Sequence, residues 1–137
     1  MEKTIVLSQT QKNTLLDHAK KNPHIESCAL LLGNIEFNTY KVKDIYLTEN
    51  IENSAVNFTI SNEQLLAAYQ EAERRELDIV GIFHSHPHWE AIPSQTDKKF
   101  MIVNPVVWMI YSNEKDQMGG FILESDIEHV LIKINGN

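Results

Sequence analysis

A single cysteine, Cys28, is all the thiol chemistry the chain has, so neither an internal disulfide nor a Cys-x-x-Cys zinc knuckle can form. Glycine and proline are sparse too, five and four in 137 residues. No segment is low in complexity and 42% of the residues are hydrophobic, which excludes global disorder and supplies a core. Positive charge is in short supply. Twelve Lys and Arg against nineteen Asp and Glu give a net charge of −7, which argues against nucleic acid or an anionic membrane as the partner. Long apolar runs are missing. The most apolar stretch, Ile102 to Tyr111, contains Asn104 and Pro105 and has about half the length of a membrane span. Met1 to Ser8 lacks the apolar run of a signal peptide. The expectation is one soluble, cytoplasmic domain over residues 1–137, a monomer or homodimer.

What is present is an alternation of short strands and capped helices. Lys3 to Leu7 reads as a strand. Ser8-Gln-Thr-Gln11 is a capping box that opens a helix with Leu15, Leu16 and Ala19 on one face, ended by Asn22-Pro23. Ile25 to Leu32, ending at Gly33, reads as a buried strand, and Tyr40 to Leu47 as a strand with a slip in phase. Asn50 to Asn57 is a polar loop, and Phe58 to Ile60 a short strand. Ser61-Asn-Glu-Gln64 opens a second helix, to about Glu76, with Leu65, Leu66, Ala68, Tyr69 and Ala72 as its stripe. Ile79 to Phe83 is another buried strand. A short helix spans Ser94 to about Ile102, and Val106 to Tyr111, Gly120 to Leu123 and His129 to Ile134 complete the sheet. This pattern predicts a mixed α/β (α+β) fold: a single curved, mixed β-sheet flanked by helices.

The chemistry concentrates between Gly81 and Asp97. In an extended chain His84 and His86 point to the same face, close enough for both rings to reach one ion. Pro87 turns the chain out of the sheet. Ser94 and Asp97, three apart, share a helix face, so Asp97 offers a carboxylate and Ser94 a hydroxyl to the same pocket. Two histidines and one carboxylate leave a fourth tetrahedral position open, which suits a catalytic zinc. On their own Ser94 and Asp97 read as a plain helix cap, and only the joint pattern with His84, His86 and Glu26 overturns that. Glu26, an acid entering a buried strand, needs a partner and is the candidate general base from elsewhere in the chain. Cys28 reads as a small buried hydrophobe, with the rival that it lies near the metal and is redox-sensitive. His18, His24, His88, His129 and Trp89 have no ligand spacing.

The joint pattern resembles the JAMM (MPN+) metalloprotease family. Glu26 is followed by His84-Ser-His86-Pro87, six residues from His88 to Pro93, and Ser94-Gln-Thr-Asp97. The family signature is an upstream glutamate, His-x-His-Pro, six residues and Ser-x-x-Asp. The order of elements is similar to a compact archaeal or bacterial member with a cytidine-deaminase-like fold. The resemblance implies one zinc per chain on His84, His86 and Asp97, Glu26 as general acid and base, and Ser94 beside the oxyanion. It implies hydrolysis of the (iso)peptide bond after the C-terminal Gly-Gly of a ubiquitin or ubiquitin-like modifier, with the tail in a narrow groove or paired to an exposed sheet edge. The alternatives are a zinc hydrolase that processes a sulfur-carrier protein or small peptides, and a non-catalytic MPN scaffold. A zinc nucleobase deaminase is disfavoured because the Pro-Cys-x-x-Cys half of its signature is missing. Few residues separate Asp97 from the next strand, which leaves little room for the long second insertion of eukaryotic deubiquitinases. Ala29 stands where family members often carry glycine.

Overall fold

The computed structural model describes residues 2–136. In chain order the elements are β1 (Lys3–Leu7), α1 (Gln9–Lys21), β2 (Cys28–Glu36), β3 (Thr39–Thr48), α2 (Asn62–Arg74), β4 (Asp78–His86), α3 (Gln95–Val103), β5 (Val107–Ser112), β6 (Gln117–Leu123) and β7 (Ile127–Ile134). The strand order is β1-β3-β2-β4-β5-β6-β7, and β1 also pairs with β7, so the mixed sheet curves until it closes. Pairing is parallel between β1 and β3, β1 and β7, and β4 and β5, and antiparallel elsewhere. Among the described residues β3 pairs with β1 only through Thr39 to Lys41, so from Val42 to Thr48 it has a ladder partner on one side alone, β2.

Both faces of the central strands are covered, which is why β2 reads as a continuous apolar run. Ala29, Leu31, Val80, Phe83 and Met109 pack with Leu15 and Ala19 of α1. Leu30, Leu32, Ile82, Trp108 and Ile110 pack with Ala68 and Ala72 of α2 and Met101 of α3. Strand alternation therefore puts His84 and His86 on the face toward α2 and α3.

Several expectations need correction. β2 begins at Cys28, so Glu26 precedes the strand, and it runs through Gly33 to Glu36. Gly33 does not end the strand; it admits the carbonyl of Lys41, which would lie 1.8 Å from a Cβ there. The pairing slips at that point, which accounts for the phase slip expected in β3. Phe58 to Ile60 is not a strand. Its backbone is held by Asn50 and Ile51 instead of by a ladder. On α2, Leu66 and Tyr69 are exposed. The two alanines let α2 sit close to the sheet, and the wider stripe has nothing to cover it. Gln64 does not close its capping box; its side-chain oxygen accepts from the Glu49 N–H. No helix among the described residues is long and apolar enough to cross a membrane.

Candidate metal centre

β4 delivers both histidines inside the strand, further along the chain than the strand pattern over Ile79 to Phe83 indicates. His84 lies opposite Cys28 on β2 and Ile110 on β5. Its ring stacks on Phe58 (centroids 4.9 Å, 26°) and meets the edge of Trp108 at 5.6 Å. His86 is fixed by a hydrogen bond: Nδ1–H donates to the Glu90 carbonyl at 2.7 Å, which leaves Nε2 with a free lone pair. Ser85, between them, ties the Glu26 segment to β4. Its N–H donates to the Ser27 carbonyl at 3.0 Å and its Oγ accepts from the Ser27 N–H at 2.8 Å.

α3 supplies the carboxylate. Ser94 is its N-cap and Asp97 its N3 residue, joined in a complete capping box. Asp97 Oδ2 accepts from the Ser94 N–H at 2.9 Å and lies 3.1 Å from Nε2 of both His84 and His86. The two Nε2 atoms are themselves 3.1 Å apart. Three donors thus form a triangle with 3.1 Å sides. A tetrahedral ion with ligands at about 2.0–2.1 Å holds neighbouring donor atoms roughly 3.3 Å apart, so the triangle fits one ion after shifts of tenths of an ångström. Asp97 is both the helix cap and a member of this cluster, so the two readings of Ser94 and Asp97 are not exclusive.

Glu26 faces the triangle. Its side chain is buried, Oε2 is 4.0 Å from His86 Nε2, and Oε1 has no hydrogen-bond partner among the described residues. One donor atom each from Glu26, His84 and His86 lie within 4.8 Å of one another, a second triad able to hold a metal. The shorter and more regular triangle is the one with Asp97, and Glu26 stands a step back from it. An orphaned buried carboxylate oxygen beside converging imidazoles fits a cationic occupant or its water.

The electrostatics separate the two acids. Burial pushes Glu26 up to about 8, against the pull of His86, while Asp97 and Glu52 add to the rise. Burial also opposes ionisation of Asp97, but hydrogen bonds with His84 and His86 hold it well below the usual carboxylate range. Burial lowers His84 and outweighs Asp97. Burial lowers His86 too, but its bonds to Asp97 and the Glu90 carbonyl raise it on balance. Cys28 is fully buried, accepts from the Thr48 hydroxyl at 3.2 Å, and has its thiol pushed up to about 11 by burial, as an inert core residue.

A cavity of about 220 Å³ reaches the cluster, lined by Glu26, Ala55, Val56, His86, His88, Trp89 and Ser94. Ser94 Oγ accepts from the Asp97 N–H at 3.0 Å, and its own hydroxyl hydrogen has no acceptor among the described residues. A larger apolar cavity of about 610 Å³ lies between α2, α3 and the sheet, where Phe58 and Trp108 are part of its wall and the convergent acids are not. The chemistry sits in the smaller one. Of the histidines without ligand spacing, His18 donates from Nε2 to the Cys28 and Thr48 carbonyls, both at 3.0 Å, a structural tie. Sequence reasoning missed Asn50, Phe58 and the Glu90 carbonyl, which act on the cluster through the fold and carry no motif.

Known proteins resemble this chain in sequence and fold. A family described as prokaryotic homologs of the JAB domain matches residues 9–122. A desampylase from Pyrococcus furiosus is 35% identical over 131 residues, covering 96% of this chain and 89% of that protein. The deubiquitinase BRCC36 of Camponotus floridanus is 34% identical over 88 residues, covering 60% of this chain and 35% of that protein. The solution structure of a protein from Desulfitobacterium hafniense superimposes with a TM-score of 0.87 at 25% identity, covering 98% of this chain and 94% of that one.

Proposed function

Because this chain belongs to the family of prokaryotic JAB-domain proteins, the compact JAMM/MPN+ type, we propose that it is a zinc-dependent isopeptidase. It hydrolyses the bond after the C-terminal glycine of a ubiquitin-like modifier, and residues 1–137 work as one domain. The observation that carries the reading is the 3.1 Å triangle of His84, His86 and Asp97 with the buried Glu26 carboxyl facing it. The relatives named desampylase and deubiquitinase support the substrate class.

His84, His86 and Asp97 would hold the zinc. When bound, zinc supplies Lewis acidity: it makes water a nucleophile near neutral pH and polarises a carbonyl. The chain's own residues do the rest. Glu26 takes a proton from the attacking water and gives it to the departing lysine amine. The C–N bond breaks, the modifier leaves with a C-terminal carboxylate, and the lysine regains its ammonium. In the metal-free centre burial raises Glu26 above an exposed glutamate; a bound dication would favour its carboxylate, the form that takes a proton from water. The unengaged Ser94 hydroxyl donates to the oxygen that becomes negative during attack. Asp97, whose Oδ2 accepts from the Ser94 N–H, stays ionised throughout.

The test is a panel of Gly-Gly-terminated modifier conjugates, modifier fusions to a sulfur-carrier tail and short peptides, each incubated with and without a chelator. Zinc content is measured in parallel. Chelator-sensitive cleavage after glycine in the conjugates is expected. Activity in metal-free protein would remove the zinc reading, and cleavage of short peptides alone would move the substrate class.

A further inference from the structure

The loop between β3 and α2 contains no acid or histidine of the cluster, yet one side chain in it bonds to the Glu26 backbone and to both neighbours of Phe58. Asn50 is 6% exposed. Its Nδ2 donates to the Glu26 carbonyl at 3.0 Å and to the Asn57 carbonyl at 2.9 Å, with a longer contact to the Ser54 carbonyl at 3.4 Å. Its Oδ1 accepts from the N–H groups of Glu52 (3.0 Å) and Thr59 (3.1 Å). An asparagine amide has two hydrogens and two lone pairs, and all four are engaged. The Glu26 N–H donates in turn to the Ser54 carbonyl at 2.8 Å, so both backbone groups of Glu26 are anchored to this one loop.

We propose that Asn50 is the positioning residue of Glu26: by holding its backbone it sets the Glu26 carboxyl against the His84, His86 and Asp97 triangle. Glu26 lies outside β2, and among the described residues its backbone is held by the Asn50 loop, with the Ser27–Ser85 clasp beside it. Phe58 lies between the two carbonyl and N–H groups that Asn50 holds, at Asn57 and Thr59. It stacks on the one histidine of the pair whose outer nitrogen, Nδ1, is buried without a hydrogen-bond partner among the described residues. A shift of about 1 Å in a catalytic group costs on the order of 10²-fold in rate, and no other residue fits four bonds of this directionality. Aspartate is isosteric but has no hydrogen to donate, and it would face the Glu26 and Asn57 carbonyls with a negative charge.

The proposal rests on Glu26 as the proton carrier, so Glu26→Gln is measured first. If E26Q turns over as fast as the parent, the base reading fails whatever Asn50 does. If E26Q is slowed to a measurable residual rate, Asn50→Asp is made in both backgrounds and scored by kcat, KM and zinc content on a Gly-Gly conjugate. In the parent, N50D should lower kcat by about 10²-fold with KM within about 3-fold and one zinc per chain retained. In E26Q, where no carboxyl remains to be placed, N50D should change the residual rate by less than about 3-fold. Equal losses in both backgrounds, losses that track zinc loss, or an N50D enzyme within about 2-fold of the parent would overturn it. Should N50D not fold, Asn50→Ser, which keeps a single donor, replaces it in the same double-mutant cycle, with the same losses expected and the same outcomes overturning the proposal.

Discussion

The N-terminus of α1 and the N-terminus of α3 are built alike. Ser8 and Ser94 both have φ −80°, with ψ 163° and 172°. In each, the serine Oγ accepts from the N–H of the N3 residue at 3.0 Å. The N3 side chain returns the bond to the serine N–H, at 2.8 Å from Gln11 and 2.9 Å from Asp97. The difference lies beyond the cap. Gln11 spends its remaining amide on the Val42 carbonyl at 3.4 Å. Asp97 presents the same oxygen that closes the cap to two imidazoles. The fold has placed one cap against a strand edge and the other against the only strand that carries two histidines on one face. A local motif fixes a carboxylate; what it does is decided by what the sheet brings opposite.

The largest expected effect separates the two caps at their N3 residues. Asp97→Asn keeps an oxygen for the Ser94 N–H and loses the charge that faces the histidines. Zinc content should fall to near zero, with turnover down by at least about 10³-fold, and His84→Ala should do the same. Gln11→Ala should cost about 1 kcal/mol of stability and leave zinc and turnover alone. Metal analysis and initial rates on the three variants decide it; a D97N protein that still binds one zinc would put the two caps on the same footing.

Next comes Glu26→Gln, which should retain zinc and lose about 10²- to 10⁴-fold in turnover, since general acid–base catalysis contributes on that scale. It sharpens the comparison by showing that Asp97 holds and Glu26 transfers. A variant that lost metal and turnover together would make Glu26 a ligand, as the looser triad permits.

The serines of the two caps are nearly superimposable in role and give a smaller contrast. Ser8→Ala and Ser94→Ala should each cost about 1 kcal/mol as lost caps. Only S94A should also lose turnover, by roughly 10- to 10²-fold, because only Ser94 has its hydroxyl in the cavity beside Glu26 and His86. Thermal melts and kcat on the pair measure both effects, and equal kcat in S8A and S94A would leave Ser94 as a cap alone.

How far the sequence shows this depends on where each signal is stored. His84, His86 and Asp97 are legible because their geometry is local: strand alternation pairs the histidines and helix periodicity aims Asp97. Glu26 is legible as an unexplained acid beside an apolar run, although the run does not become strand until Cys28. Closure of the sheet is not legible. It depends on β1 pairing in parallel with β7, between Lys3 and Val130 at opposite ends of the chain, and no local pattern records that. Gly33 looks like a strand end because a glycine needed for a close backbone approach and one that ends a strand are the same letter. Asn50 reads as one more polar loop residue, since its hydrogen bonds to Glu26, Glu52, Asn57 and Thr59 exist only after the chain has folded around it.

The last contrast concerns pH, which can reach the α3 end and not the α1 end, because Gln11 does not titrate. In metal-free protein Glu26 has a folded pKa of about 8 against an ordinary value of 4.5. Between those values the folded chain keeps a proton that the unfolded chain releases. The unfolded state then binds fewer protons, so stability falls as pH rises from about 4.5 to about 8 and levels off above. Asp97 acts in the opposite sense and elsewhere: its depressed folded value contributes stability above 3.8 that is lost as pH falls further, outside this window. His84 and His86 are shifted in opposite directions from 6.5, and comparison with E26Q, where both remain and the glutamate is gone, removes most of their contribution. The metal-free parent should therefore lose on the order of 2 kcal/mol relative to metal-free E26Q between about pH 5 and about pH 8. Adding zinc should shrink that difference, because a dication beside Glu26 favours the carboxylate in the folded state. Denaturant melts of the two proteins at about pH 5, 6.5 and 8, with and without zinc, measure it. Parallel pH curves in the metal-free pair would mean that Glu26 is ionised without a cation, and that the buried carboxyl has found a partner other than the one the triangle provides.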